Sequence, residues 1–326
     1  MTAAAFEFVS AGQGMIQSRQ KTASIVVLVI SVAGLLYYTA TNWPSFQRLS
    51  IVSPLYVIPF MIALFLNYAV LAMIMKVLTQ SLGLKLGISE AFLLSIMTSF
   101  HNMVLPFRGG MGTRALYLKK RYNYAYTSFL ATVSAGYVLM FLVASGLGLA
   151  TLIYSYTSLG IVSGVLFLVF SGIVSLLVIV VLFSPRVRSR NNEWLNRVGR
   201  VINSWALIRE DRSLILVTTV LSMLQMLLET AGVFLQFQVF GLHVPFVKCI
   251  FLASVGSLGQ VLQITPAGLG VNEALVVFSA QAIGVTPTET LAATLLGRAV
   301  QSAVLIALGP IASYWLVRDG VAAEST

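Results

Sequence analysis

Long apolar runs separated by short polar intervals dominate the 326-residue chain. Six of them cover 23–40, 54–78, 126–155, 158–183, 213–240 and 287–317, and two more, 88–106 and 246–264, each run into a glycine-rich break. About 20 apolar residues in a helix cross a hydrocarbon core of about 30 Å. A helix is favoured there because it satisfies its own backbone groups where water is missing. The pattern predicts an all-α polytopic membrane protein with eight hydrophobic segments. The breaks read Leu105-Pro-Phe-Arg-Gly-Gly-Met-Gly-Thr-Arg114-Ala-Leu116 and Thr265-Pro-Ala-Gly-Leu-Gly-Val-Asn-Glu273-Ala-Leu275. Each ends in a charged residue followed by Ala-Leu. Glycine supplies unusual backbone angles and proline ends a helix without needing a donor. Pro106, Gly109, Gly110 and Gly112, and Pro266, Gly268 and Gly270, are therefore expected to form turns.

Composition agrees: 58% of residues are hydrophobic and 9% charged, against about 25% charged in soluble domains. The net charge of +10 would suit a nucleic-acid partner if it were spread over one surface. Instead 12 of the 20 cations fall in two inter-span segments, 108–121 and 186–212. That distribution marks cytoplasmic loops lying near anionic headgroups, and no nucleic-acid partner is expected. A single cysteine, Cys249, rules out an intrachain disulfide, and His101 and His243 lack ligand spacing, so neither metal nor cofactor is expected.

Charge parity refines the topology. Arg19 and Lys21 put the N-terminus inside, and 23–40 and 54–78 cross out and back. If 88–106 crossed fully, both basic segments would fall outside. Letting it turn back at Pro106–Gly112 puts both on the cytoplasmic face, and a matching turn at Pro266–Gly270 leaves Arg318 and the C-terminus inside. The expected fold has about six full spans and two re-entrant hairpins entering from opposite faces of the cell membrane. The tract 126–148 aligns with 287–309 at a constant offset of 161, matching Gly136 with Gly297 and Leu147-Gly148 with Leu308-Gly309. The chain thus reads as an inverted repeat in one membrane domain, with units 54–183 and 213–317. An amphipathic cytoplasmic linker, 185–212, joins them. Paired breaks in two such halves point to a transporter's binding site.

Ionisable residues inside spans are costly and are candidates for function. Glu229 lies mid-span, Arg298 lies in the last run, and Arg114 and Glu273 follow the two breaks at equivalent positions. Arginine is the side chain best suited to a phosphate, so Arg108, Arg114 and Arg298 are candidate headgroup ligands. Glu273 and Glu229 would balance these arginines or carry protons; the alternative is an ion-pair network that only fixes packing. Asn272, His101 and Gln263 complete the candidate substrate-binding set, His101 also reading as a packing histidine. The chain carries no catalytic triad, nucleotide loop or paired acidic motif, so a non-enzyme is expected.

The stretch Pro266–Leu275 resembles the P-x-G-G-x-G-x-x-E signature of the lysylphosphatidylglycerol synthase transmembrane-region family, also called flippase-like domain proteins. Arg108-Gly-Gly-Met-Gly-Thr-Arg114-Ala-Leu resembles the family's first signature, and Arg298 matches an arginine of its last long span. Ala267 departs from a usual glycine. The resemblance covers about 20–317. It implies translocation of an anionic phospholipid, or of a polyprenyl-linked or hopanoid-type lipid, between leaflets. The namesake enzymes carry a cytosolic aminoacyl-transferase domain, whereas this chain ends soon after its last run, so lysyl-lipid synthesis is not expected of it. Alternatives are a non-transporting subunit working with envelope-biosynthesis enzymes, and a membrane-embedded lipid transferase.

Overall fold

The computed structural model describes residues 39–47, 49–159, 163–183, 210–260 and 268–324, with the single positions 29, 37, 208 and 265. The first apolar run (23–40) and the linker (185–212) lie mostly outside the described residues, and Gln263 and Pro266 lie wholly outside them. After short helical turns at Trp43–Gln47 and Pro54–Tyr56, nine helices follow among the described residues. They are α1 (Val57–Ser81), α2 (Ile88–Val104), α3 (Gly109–Tyr122), α4 (Tyr126–Leu159), α5 (Gly164–Phe183), α6 (Arg212–Val239), α7 (Phe246–Gly259), α8 (Val271–Gln281) and α9 (Pro287–Glu324).

Five stretches are long and apolar enough to cross a membrane: Pro54–Ser81, Tyr126–Ser158, Gly164–Phe183, Arg212–Val239 and Pro287–Arg318. They coincide with five of the six expected spans, with ends shifted by a few residues. The sixth is the run at 23–40. The remaining helices are short. At 1.5 Å per residue α2 is about 25 Å long, α3 and α7 about 21 Å, and α8 about 16 Å, all less than the hydrocarbon thickness. They form two hairpins, α2–α3 and α7–α8. Helix α5 presents Leu168 and Phe183 at 72% exposure each, apolar surface that only lipid can cover favourably. This is a multi-pass membrane protein.

Local chemistry sets the helix ends. Asp211 accepts from the Leu214 amide at 3.0 Å and caps α6, satisfying a donor the helix itself leaves open. Gly83, at φ +90°, closes α1 with amides of residues 83 and 84 returning to the carbonyls of Gln80 and Thr79, the glycine-closed helix end. Inside the spans, hydroxyls return to the carbonyl four residues back, as with Thr98 to Leu94 at 2.6 Å and Ser222 to Thr218 at 2.8 Å. This spares them an unpaired burial.

The packing interlaces the two halves. Helix α1 lies along α6; α2 of the first half packs on α9 of the second, and α7 of the second packs on α4 of the first. One core joins Leu94, Leu118 and Leu305 around the first hairpin, and another joins Leu152, Phe237 and Phe251 around the second. Close approach depends on small residues. A β-carbon at Gly309 of α9 would sit 2.2 Å from Cγ of Phe100 on α2, whereas one at Gly146 would meet nothing. Gly309→Ala is therefore expected to lower the thermal midpoint of the detergent-purified protein, overpacking costing about 1–3 kcal/mol. Gly146→Ala is expected to leave the midpoint unchanged or raise it slightly.

Candidate functional site

The first hairpin turns at Leu105–Arg108. The left-handed residues here are Phe107 (φ 52°) and Arg108 (φ 55°), and Gly109, whose amide returns to the Pro106 carbonyl, begins α3. A left-handed non-glycine residue costs about 1–2 kcal/mol, so the surroundings hold this turn against its own preference. Gly110 serves close approach instead. A β-carbon there would lie 2.0 Å from the Thr98 carbonyl oxygen and 2.7 Å from Asn102 Oδ1, so only glycine lets α3 lie this near α2. Gly112 has open space around it, and neither role applies to it. In the second hairpin Gly268 (φ 69°) and Gly270 (φ 83°) take left-handed angles, which glycine adopts at little cost. There Gly259 is the close-approach residue, facing Asn272 Oδ1 at 2.3 Å from a built β-carbon.

Both hairpins and the long helices enclose a cavity of about 400 Å³. Five of the candidate residues line it: Arg108, Arg114, Glu229, Asn272 and Arg298. Arg108 places its guanidinium carbon 4.6 Å from the centre of the Tyr137 ring, and Arg114 lies 5.3 Å from that of Phe129, distances at which a cation is attracted to a ring face. The Nε atoms of both arginines are buried and have no hydrogen-bond partner. Among the described residues no carboxylate pairs with either one.

Arg298 is held differently. Its Nε and Nη2 donate to Glu273 Oε1 at 2.9 and 2.6 Å. The other carboxylate oxygen accepts from the Gly270 amide at 2.6 Å, at the head of α8. Glu273 is fully buried and is not part of the cavity wall. The ion pair that opposite signs allow between Arg114 and Glu273 is thus replaced by Glu273–Arg298, because the carboxylate is turned onto its own helix start, where α9 brings the arginine. His101 also lies off the wall. Its Nδ1 is 3.1 Å from Thr113 Oγ1, whose hydroxyl donates to the Gly110 carbonyl. The imidazole pins the two arms of the hairpin together.

Glu229 carries a polar network. Gln225 Nε2 donates to its Oε1 at 3.0 Å, and the Ser257 hydroxyl donates to its Oε2. Gln225, Ser257, Asn67, Tyr68, Tyr137 and Gln301 also line the cavity and were not singled out from the sequence as site residues. One signal for Tyr137 was present: the offset that aligns Gly136 with Gln301's neighbourhood at Gly297 also aligns Tyr137 with Arg298. At the base of the first hairpin, two tyrosines gather on one carboxylate. Tyr117 and Tyr122 donate to Glu90 at 2.6 and 2.7 Å, and Arg121 lies 3.5 Å from the same carboxylate. Burial and that carboxylate push the Tyr122 phenol above its ordinary range.

A family model described as the lysylphosphatidylglycerol synthase TM region matches residues 23–309. The chain belongs to this family. The match takes in both hairpins and every residue of the cavity wall. Membership of the lysylphosphatidylglycerol synthase TM region family gives the chain a lipid-related role in a membrane. No curated protein matches it.

Removing one partner of a buried ion pair strands the other, at about 3–5 kcal/mol. Glu273→Ala should therefore unfold at a markedly lower temperature than the wild type. Thermal denaturation of Glu273→Ala, Arg298→Ala and the double variant should show the double falling short of the sum of the singles, the mark of direct coupling.

Proposed function

We propose that the protein moves an anionic lipid, either a phospholipid or a lipid-linked phosphate compound, between membrane leaflets and holds its phosphate in the central cavity. The reading rests above all on Arg108 and Arg114. Both arginines line one cavity, their Nε donors are buried without a hydrogen-bond partner, and among the described residues no carboxylate pairs with them. Leaving cations uncompensated in a low-dielectric interior is expensive, and a phosphate oxygen is the acceptor that fits a guanidinium best. The 400 Å³ volume suits a headgroup, while the acyl chains would remain in lipid.

The architecture supports movement between faces. The arms of both hairpins are shorter than the bilayer, which favours re-entrant segments over full spans. The exchange of partners between halves, α2 on α9 and α7 on α4, favours two related units of inverted orientation, which transporters use for alternating access. We place the basic segment 119–121 and both termini on the cytoplasmic face of the cell membrane. Transport, rather than lipid modification, is the activity proposed: Glu273 is committed to Arg298, and among the described residues Glu229 is the only acidic one on the cavity wall.

In proteoliposomes the wild type is expected to translocate fluorescent phosphatidylglycerol. A hydrogen bond to a charged group is worth about 1.5–3 kcal/mol, so Arg108→Ala and Arg114→Ala should each reduce transport roughly 10–100-fold. Lys119→Ala, whose side chain bonds Asn123 at the surface, should retain it. Wild-type rates in folded Arg108→Ala/Arg114→Ala protein would refute the assignment. For orientation, in a Cys249→Ala background a cysteine at Lys120 is expected to react with an impermeant maleimide only from the cytoplasmic side.

A further inference from the structure

The arginines face the cavity with unsatisfied donors; around Glu229 the imbalance is reversed. Its carboxylate accepts from Gln225, Ser257 and Asn67. The amide of Gln225 is thereby oriented: Nε2 points at the carboxylate and at Met140 Sδ, 3.4 Å away, which leaves its carbonyl oxygen turned elsewhere. Gln225 is only 3% exposed, and its Oε1 is buried with no hydrogen-bond partner. Asn67 Oδ1 on α1 is likewise buried and unpartnered. Two helices packed along each other, α1 and α6, thus carry two amide oxygens with spare acceptor capacity and one carboxylate on side chains that all line the same cavity.

An unsatisfied buried carbonyl costs free energy, and two beside a carboxylate call for a ligand that supplies positive charge. The donor set narrows its kind. The unpartnered atoms and the carboxylate are hard oxygens, which disfavours soft metals. Glu229 is the single acidic residue on the wall, whereas a divalent ion generally takes more carboxylate charge and more oxygens than are present. A single positive charge would be balanced by Glu229 alone.

We infer that Asn67, Gln225 and Glu229 form a binding site for a monovalent cation, either a free sodium ion or the primary ammonium of a lipid headgroup. Taken with the lipid reading above, on which this part rests, the cavity then accepts a charge-paired cargo. The phosphate lies on Arg108 and Arg114, and its accompanying cation lies on the Glu229 side. The cation site itself does not require that reading, so the two can fail separately.

The test is the thermal midpoint of the full-length protein in detergent at constant ionic strength, exchanging choline chloride for sodium chloride or ethanolamine hydrochloride. Choline carries no N–H donor and serves as the inert reference. Saturating sodium or ethanolammonium is expected to raise the midpoint by about 2–4 °C, and Glu229→Gln is expected to abolish the rise. Asn67→Ala keeps the carboxylate and its bonds from Gln225 and Ser257, and should shift the half-saturating concentration upward by about tenfold. A rise with sodium alone identifies a free ion, and one with ethanolammonium alone identifies a headgroup amine. No rise with either cation overturns the site, as does an undiminished rise in both variants. Because this readout involves no lipid flux, an absence of phosphatidylglycerol transport would count against the lipid reading alone.

Discussion

The interior of this protein is organised around one carboxylate. Glu273 lies fully buried in the first turn of α8, a place where backbone amides have no partner within the helix. One of its oxygens closes the head of α8 through the Gly270 amide, and the other accepts two bonds from Arg298. The same group therefore permits the break, neutralises a buried arginine and ties α8 to α9. Each of these tasks makes the next affordable: a capped α8 can end inside protein, and a neutralised Arg298 can stand at the cavity edge.

The first half solves the same problem with different chemistry. In the alignment of the two tracts by sequence, Arg114 falls opposite Glu273 and Tyr137 opposite Arg298. The second half thus holds an internally neutral pair, while the first half holds two arginines against aromatic rings. A ring face steadies a cation but does not cancel its charge. The electrostatic field of the cavity is consequently uneven, with positive charge on the side of the first hairpin and the Glu229 network on α6.

Much of this was legible in the sequence. The five spans follow from apolar run length alone, and the breaks followed from glycine and proline placed after such runs. Arg108, Arg114, Glu229, Asn272 and Arg298 stood out because charged or amide side chains are rare in such segments. What the sequence could not show was which carboxylate meets which arginine, since Glu273 and Arg298 are 25 residues apart and meet only when α8 folds against α9. The role of Gly110 was hidden for a related reason: glycine in a turn and glycine at a contact look alike in one dimension. Asn67, Gln225 and Tyr137 escaped selection because single neutral polar residues in a span usually bond their own helix, as Thr98 and Ser222 do.

Gly110 has a mechanical consequence. With its α-carbon seated against the Thr98 carbonyl and the Asn102 side chain, the two arms of the first hairpin mesh at backbone level, and the His101–Thr113 contact and the Glu90 cluster fasten them at both ends. Sliding one arm along the other would drive backbone into backbone. The hairpin is therefore built to move as one piece: a shift of Arg108 near its turn would carry with it the Glu90 and Arg121 cluster at its other end.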